Sequence, residues 1–203
     1  MQIRELSVPD SYEFTPIQRA DDRGVFLEWY RFDKLADTIG HPIALRQANT
    51  SVSKRGVVRG IHFADFPIGQ AKYVTVTHGA VLGYVIDIRV GSPTLGKWDS
   101  VLLDTLNRRA IYIAEGLGHA FVALTDDAVV SYLVTDTYNP TGEHAINPLD
   151  PQIALAFPPE AGAPLLSPKD LEAPSLADAE KLGLLPSWDA AKAYYAELNE
   201  KSN

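Results

Sequence analysis

The sequence predicts an all-β sandwich or barrel built from short strands. Segments with β-branched and aromatic residues at alternate positions recur about every 8–12 residues, which is typical of such folds. Turn sequences such as His78-Gly79 and Gly91-Ser92-Pro93 separate these segments. Long helices between strands, which a parallel sheet requires, are not predicted from about residue 40 to residue 136. Hydrophobic residues make up 46% of the chain and charged residues 22%, which excludes wholesale disorder.

The elements follow from local patterns along the chain. Strands are predicted at residues 25–30, 72–77, 80–89, 110–113, 119–124 and 129–134. A short helix is predicted from Phe32 to Ile39, ending at Gly40. Ser175 begins a capping box that predicts a second helix, and Ser187 begins an apolar helical face that predicts a third.

The length of 203 residues predicts one domain that comprises the whole of residues 1–203. Within it, we predict a β-barrel core at about 43–136 and a C-terminal helical tail at about 175–203. A proline-rich stretch, 157–168, connects the two parts.

The charge balance excludes several classes of partner. The chain has 26 acidic and 18 basic residues, a formal charge of −8, so nonspecific binding to nucleic acid or anionic membranes is not expected. An anionic ligand therefore needs a local basic cluster. The absence of cysteine excludes disulfides, thiolate nucleophiles and cysteine metal ligands. Without an apolar signal region after Met1 or a long apolar run, the protein is predicted to be soluble and cytoplasmic.

The five histidines show no His-x-His or i, i+4 spacing, so no metal site is predicted. A site assembled from His62, His119 and a distant carboxylate stays open as an alternative. His41, His78 and His144 lie in polar or turn-like sequence and are expected at the surface.

One strand segment carries both an arginine and a histidine. Arg59 and His62 are three residues apart and would face opposite sides of a regular strand, but Gly60 can form a bulge that redirects one of them. A structural histidine bonded inside the sheet is the alternative for His62. Judged from position alone, Lys72 at the start of a strand would be exposed to solvent, and Tyr132 in the middle of a strand would be a core residue.

Nine polar residues lie within otherwise apolar sequence, and two explanations account for them. Burying them without partners would cost roughly 1–3 kcal/mol each. They either bond to one another or line a wet pocket for a polar ligand, and the pattern does not separate these options. The residues concerned are Arg23, Glu28, Gln47, Asn49, Arg59, Lys72, His119, Tyr138 and Glu143.

Several motifs occur together in order along nearly the whole chain, from about residue 3 to about 188. They are DRGVF at 22–26, QAN at 47–49, VRGIHF at 58–63, QAKYV at 70–74, DIRVGSPT at 87–94, GLGHAF at 116–121 and YNP at 138–140. With these motifs the chain resembles the dTDP-4-dehydrorhamnose 3,5-epimerase family. The resemblance implies an all-β, cupin-type jelly-roll barrel with short peripheral and C-terminal helices.

The resemblance also implies a cofactor-free and metal-free acid–base mechanism on dTDP-4-keto-6-deoxy-D-glucose. His62 would be the general base that removes a proton beside the C4 ketone, and Asp170 would orient it. Tyr132 would be the general acid on the opposite face of the sugar. Lys72 would stabilise the enolate oxygen.

For substrate binding, the resemblance implies a further set of side chains. The basic ones would face the diphosphate, and the aromatic ones would contact thymine or sugar. Family members are typically homodimers that exchange N-terminal strands, so some of these residues would serve the partner's site. The set is Arg23, Phe26, Glu28, Gln47, Asn49, Arg59, His119, Tyr138, Glu143 and Lys169.

One departure from the family pattern concerns the reaction's outcome. Gly83 stands where the family pattern has an aspartate close to the catalytic lysine. This departure favours epimerisation at C3 alone, as in antibiotic-pathway relatives, over a full 3,5-epimerase. A dTDP-sugar 3,4-ketoisomerase and a noncatalytic sugar-nucleotide binding protein are the remaining alternatives.

Overall fold

A computed structural model describes residues 1–67 and 69–200. The strands are β1 (Gln2–Glu5), β2 (Ser11–Thr15), β3 (Gln18–Asp21), β4 (Gly24–Leu27), β5 (Gln47–Ser53), β6 (Val58–Ala64), β7 (Lys72–His78), β8 (Ala80–Asp87), β9 (Trp98–Asp104), β10 (Ala110–Ile113), β11 (Leu117–Ala123), β12 (Ala128–Val134) and β13 (Glu143–Ala145). The helices are α1 (Phe32–Ile39), α2 (Pro168–Leu171), α3 (Leu176–Lys181) and α4 (Trp188–Glu200).

Two antiparallel sheets form the body of the protein. One has the strand order β1-β2-β10-β7-β12-β5, and the other has the order β13-β6-β11-β8-β9. Their facing sides share one apolar core, to which Val74 and Val130 contribute from the first sheet and Val85 and Phe121 from the second. Strands β3 and β4 pair only with each other among the described residues. The prediction of an all-β fold is confirmed.

A second core covers the outer face of the five-stranded sheet. Ile61 and Tyr84 from this face pack with Ile146 and Leu176 from the C-terminal third. The Tyr84 hydroxyl donates a hydrogen bond to the backbone oxygen of Ala156 at 2.7 Å. The C-terminal segments are therefore part of the packed structure, and they also bring α2 against β6.

The helices follow their sequence signals closely. Helix α1 ends at Gly40, whose φ of 87° lies in the left-handed region that glycine adopts without strain. Ser175 caps α3 as predicted, and α4 begins directly after Ser187. The last residues of the predicted tail, 201–203, lie outside the described residues. None of the helices at 1–67 and 69–200 is long and apolar enough to cross a membrane.

Several strands lie beyond the limits predicted for the barrel core. Strands β1 and β2 precede residue 43, β13 follows residue 136, and all three pair within the two large sheets. The predicted strand at 25–30 is shorter, since β4 ends at Leu27.

A buried arginine joins three distant parts of the chain. Arg89 is fully buried and binds the carboxylate of Asp87 through two nitrogens at 2.9 Å. Its third nitrogen donates to Asp10 at 2.6 Å, and its guanidinium lies 4.4 Å from the ring centre of Trp188. Arg89 thus links the end of β8 to the turn after β1 and to the start of α4.

Candidate active site

A cavity of about 530 Å³ opens between β5, β6, β7 and β12, a volume within the usual range for small-molecule sites. Its walls carry most of the predicted site residues, namely Gln47, Asn49, Arg59, His62, Lys72, Tyr132, Tyr138, Glu143, Lys169 and Asp170. The polar side chains of this set both line the cavity and bond to one another. Gln47 donates to Asn49 at 2.7 Å, and Asn49 lies opposite Tyr132 in the pairing of β5 with β12.

A bulge in β6 places Arg59 and His62 in the same cavity. His62 pairs with His119 and Arg59 with Phe121, so the register shifts between the two pairs. Gly60 has a φ of 118° at this point. A Cβ on Gly60 would lie 2.5 Å from the backbone oxygen of His119, which only glycine avoids. The predicted bulge is confirmed.

His62 is in contact with Asp170, which lies 108 residues later on α2. The distance between His62 Nε2 and Asp170 Oδ1 is 2.7 Å. Burial alone would raise the pKa of Asp170, but hydrogen bonds from His62 and Ser167 hold this pKa below its usual value. An ionised carboxylate only accepts hydrogen bonds, so Nε2 of His62 donates. In the neutral ring this leaves Nδ1 as the nitrogen able to take a proton.

Tyr132 and Lys72 come from the other sheet, across the cavity from His62. Burial raises the pKa of the Tyr132 phenol, which keeps it protonated at neutral pH. Lys72 is 8% exposed, so the expectation of a solvated lysine is wrong. Burial lowers the pKa of Lys72, and Glu143 partly opposes this effect. The Lys72 amine therefore gives up its proton more readily than a solvated lysine does, and it shares the cavity with Arg59 and Lys169.

His119 is buried beside the cavity rather than in its lining. Burial, followed by the proximity of Lys72 and His62, holds the pKa of His119 well below the usual value. Its Nε2 has no hydrogen-bond partner among the described residues. Within the same residues no three His, Asp or Glu side chains are grouped so that they could hold a metal ion.

Three predicted binding residues lie away from the cavity. Phe26 is 68% exposed on β4, and with Glu28 it lines a separate, smaller cavity next to Arg31. Arg23 lies at the turn between β3 and β4, where it forms an exposed ion pair with Asp21. Within one chain, the structure does not bring these three residues to His62.

The cavity also has lining residues that sequence reasoning missed. These are Val57, Val58, Gln70, His144, Leu165, Leu166 and Ser167. His144 was expected at the surface, but its Nε2 lies 2.5 Å from Asp65 and its ring packs on Phe63. In the sequence, only the position of His144 next to Glu143 indicated that it could line the cavity. No sequence feature indicated the apolar wall, because this wall forms where Leu165 bridges to Val57 from a distant part of the chain.

The other histidine expectations have mixed outcomes. His41 is 7% exposed, so the surface prediction is wrong for it, and its Nδ1 lies 3.1 Å from the backbone oxygen of Pro42. His78 is exposed at the β7–β8 turn, as predicted.

Gly83 lies where β8 faces the apolar core. A Cβ at this position would lie 3.0 Å from Ile111 Cδ1 and 3.4 Å from Leu103 Cδ1. A larger side chain would therefore have to displace these neighbours.

The fold is a cupin-like jelly-roll barrel, and its cavity brings together a histidine–carboxylate pair, a phenol and a buried lysine. Residues 5–178 match the family model described as dTDP-4-dehydrorhamnose 3,5-epimerase. The chain belongs to this family and is an epimerase, an enzyme of the isomerase class.

Similar proteins include both kinds of epimerase. The chain is 53% identical over 193 residues to a dTDP-4-dehydrorhamnose 3-epimerase from Streptomyces niveus, covering 95% of this chain and 92% of that one. It is 51% identical to a dTDP-4-dehydrorhamnose 3,5-epimerase from Mycolicibacterium smegmatis, covering 98% and 97%. The crystal structure of ChmJ, a 3'-monoepimerase from Streptomyces bikiniensis in complex with dTDP-quinovose, superposes with a TM-score of 0.92 at 42% identity, covering 96% and 98%.

Proposed function

We propose that this protein epimerises dTDP-4-keto-6-deoxy-D-glucose at C3, in deoxysugar biosynthesis. The observation that carries the proposal is the arrangement of one cavity. The His62–Asp170 pair lies on one wall, and Tyr132 lies on the opposite sheet. Inversion at a carbon needs a base on one face of the sugar and an acid on the other. The similarity to epimerases of dTDP-4-keto-6-deoxy sugars supports the sugar class.

The proposed reaction breaks the C–H bond at C3 and forms a new one on the opposite face, and it breaks no other bond of the sugar. Nδ1 of His62 takes the proton from C3, and the C–H electron pair shifts to form an enolate at O4. The ammonium of Lys72 stabilises the oxyanion, a contribution whose loss costs about 10²–10³ in rate in comparable sites. Tyr132 then delivers a proton to the opposite face of C3, and solvent restores both groups to their starting states.

The exposed hairpin supports a homodimer in which the partner completes each cavity. Strands β3 and β4 are exposed along their lengths, and a two-stranded hairpin is marginally stable by itself. In the proposed dimer, Arg23, Phe26 and Glu28 of one chain bind the nucleotide in the other chain's cavity. Arg59 and Lys169 face the diphosphate within the same chain.

Epimerisation at C5 as well as C3 is the second candidate, because the 3,5-epimerase relative is nearly as similar as the 3-epimerase. The single domain and the cytoplasmic location stay predictions.

The test is NMR of the reaction in D₂O with dTDP-4-keto-6-deoxy-D-glucose. Deuterium entering only C3, with inversion there, supports the proposal, and deuterium at both C3 and C5 supports the second candidate. Movement of the ketone from C4 to C3 would instead indicate a 3,4-ketoisomerase. Tight dTDP binding without exchange at either carbon would contradict catalysis and leave a binding protein.

A further inference from the structure

We propose that Ser167 is a positioning residue that holds Asp170, and through it His62, in the orientation needed for proton abstraction. This inference rests on the proposed function. Ser167 was not predicted as a site residue, and it lines the cavity next to the His62–Asp170 pair.

The Ser167 hydroxyl makes two hydrogen bonds to the same residue. Its oxygen accepts from the backbone N–H of Asp170 at 3.1 Å, which caps α2. The hydroxyl also donates a hydrogen bond to Asp170 Oδ2 at 2.8 Å. Because Oδ1 of the same carboxylate binds His62, each carboxylate oxygen has its own donor, and rotation of the carboxylate would break both bonds.

The position of Ser167 is fixed relative to the strand that carries His62. Two residues earlier, Leu165 donates its N–H to Gly56 at 2.8 Å and accepts from the N–H of Val58, the first residue of β6, at 2.9 Å. Pro168 at the first turn of α2 restricts the backbone after the serine. The segment from Leu165 to Asp170 is therefore held at both ends, by the backbone bonds of Leu165 and by the bond between Asp170 and His62.

The hydroxyl also affects the protonation of the pair. A donor to Oδ2 stabilises the ionised carboxylate, and the pKa of Asp170 lies below its usual value despite burial. The ionised form accepts a hydrogen bond from Nε2–H of His62 and so keeps Nδ1 free as the base. Without the hydroxyl, the carboxylate can turn and the tautomer of His62 is no longer fixed.

The chain contains a matched control for this arrangement. Ser175 caps α3 with the same geometry, donating to Asp178 Oδ2 at 2.7 Å and accepting from the Asp178 N–H at 3.1 Å. Neither residue lines the cavity. Replacing Ser175 therefore removes an equivalent helix cap without touching the His62–Asp170 pair.

The experiment compares Ser167→Ala, Ser167→Thr and Ser175→Ala. We expect Ser167→Ala to lower kcat about 10- to 100-fold, because misplaced catalytic groups cost rates of this order, while KM changes less than about twofold. Ser167→Thr, which keeps the hydroxyl, should recover most of kcat, and Ser175→Ala should match the wild type. Equal kcat for Ser167→Ala and Ser175→Ala would overturn the proposal, and so would a loss that threonine does not restore.

A second measurement separates this inference from the proposed function. In ¹⁵N NMR of histidine-labelled protein without substrate, neutral His62 should be the Nε2–H tautomer in the wild type and in Ser175→Ala. It should be a mixture of tautomers in Ser167→Ala. This result would support the positioning role even if the wild type showed no epimerisation, whereas an unchanged tautomer in Ser167→Ala would contradict it.

Discussion

At the residue scale, burial sets the charge state of the groups proposed for catalysis. It raises the pKa of the Tyr132 phenol and lowers the pKa of Lys72. Asp170 stays ionised because its two hydrogen-bond donors outweigh burial. One wall thus holds a carboxylate-bound imidazole, and the other holds a neutral phenol and a buried lysine, which are the groups that the proposed proton transfer across a sugar ring uses.

Glu115 is a buried carboxyl group outside the proposed mechanism. It is 5% exposed, and its Oε2 has no hydrogen-bond partner within residues 1–67 and 69–200. Burial raises the pKa of Glu115 from 4.5 to about 7. The folded protein therefore binds this proton more tightly than the unfolded chain does. The resulting stability is fully present below pH 4.5 and is lost as the pH rises through about 7.

Glu115→Gln should remove this pH dependence. Between about pH 4.5 and pH 7.5, the free energy of unfolding of the wild type should fall by about 3 kcal/mol relative to the variant. Urea denaturation across this range measures the difference, with Glu180→Gln, an exposed glutamate on α3, as the control. Parallel curves for wild type and Glu115→Gln would show that Glu115 is ionised in the fold.

Single residues also show where sequence reasoning succeeds and where it ends. Gly60 predicted the bulge in β6, because a glycine within an apolar strand is a local signal. The burial of Lys72 was not predictable, since strand periodicity gives the face of a residue but not what covers it. The burial of His41, in the loop after α1, depends on packing that the local sequence does not show. Asp170 was placed beside His62 only by the family resemblance, as 108 residues separate them.

At the element scale, strands with strong alternation and helices with capping residues were predictable. Strand β10 and helix α1 have the predicted limits. Strands β1 and β9 were missed, because β1 is exposed along its length and β9 mixes charged and apolar residues. The order of strands within the sheets depends on pairing between distant segments, which local patterns do not encode.

The exposed hairpin gives a prediction about subunit exchange. His62→Ala and Arg23→Ala should each be nearly inactive as homodimers. If the hairpin of one chain serves the other chain's cavity, the mixed dimer has one complete site. After unfolding and refolding of an equal mixture, half of the dimers are mixed, so about a quarter of the wild-type activity should return. No recovery, despite dimers formed, would place Arg23 in its own chain's site.

At the scale of the whole molecule, the Arg89 cluster joins the N-terminal turn, the barrel and the C-terminal helix. In the sequence, the DIRVGSPT motif at 87–94 was recognisable only as a family signature. Asp87 and Arg89 both have side-chain exposures of 0%, so removal of one partner leaves a buried, uncompensated charge.

Arg89→Ala should therefore lower the free energy of unfolding by about 3–5 kcal/mol. The control is Arg4→Ala, which removes a pair whose arginine is 55% exposed and should cost less than about 1 kcal/mol. Urea denaturation measures both, and similar losses for the two variants would contradict a stabilising role for the Arg89 cluster.

The net charge of −8 describes the surface of the molecule rather than its cavity. Arg59, Lys72 and Lys169 all line the same cavity, which gives an acidic protein a local site for an anionic nucleotide sugar. The central claim is that His62 on the wall of this cavity removes the proton from C3.

Deuterium uptake at C3 of dTDP-4-keto-6-deoxy-D-glucose, followed by NMR in D₂O for the wild type and His62→Ala in parallel, tests this claim most directly. The dTDP affinity of each protein, measured by calorimetry, shows that the cavity is intact. We expect rapid uptake by the wild type and none by His62→Ala at nearly equal dTDP affinity. Uptake by His62→Ala at the wild-type rate would contradict the account.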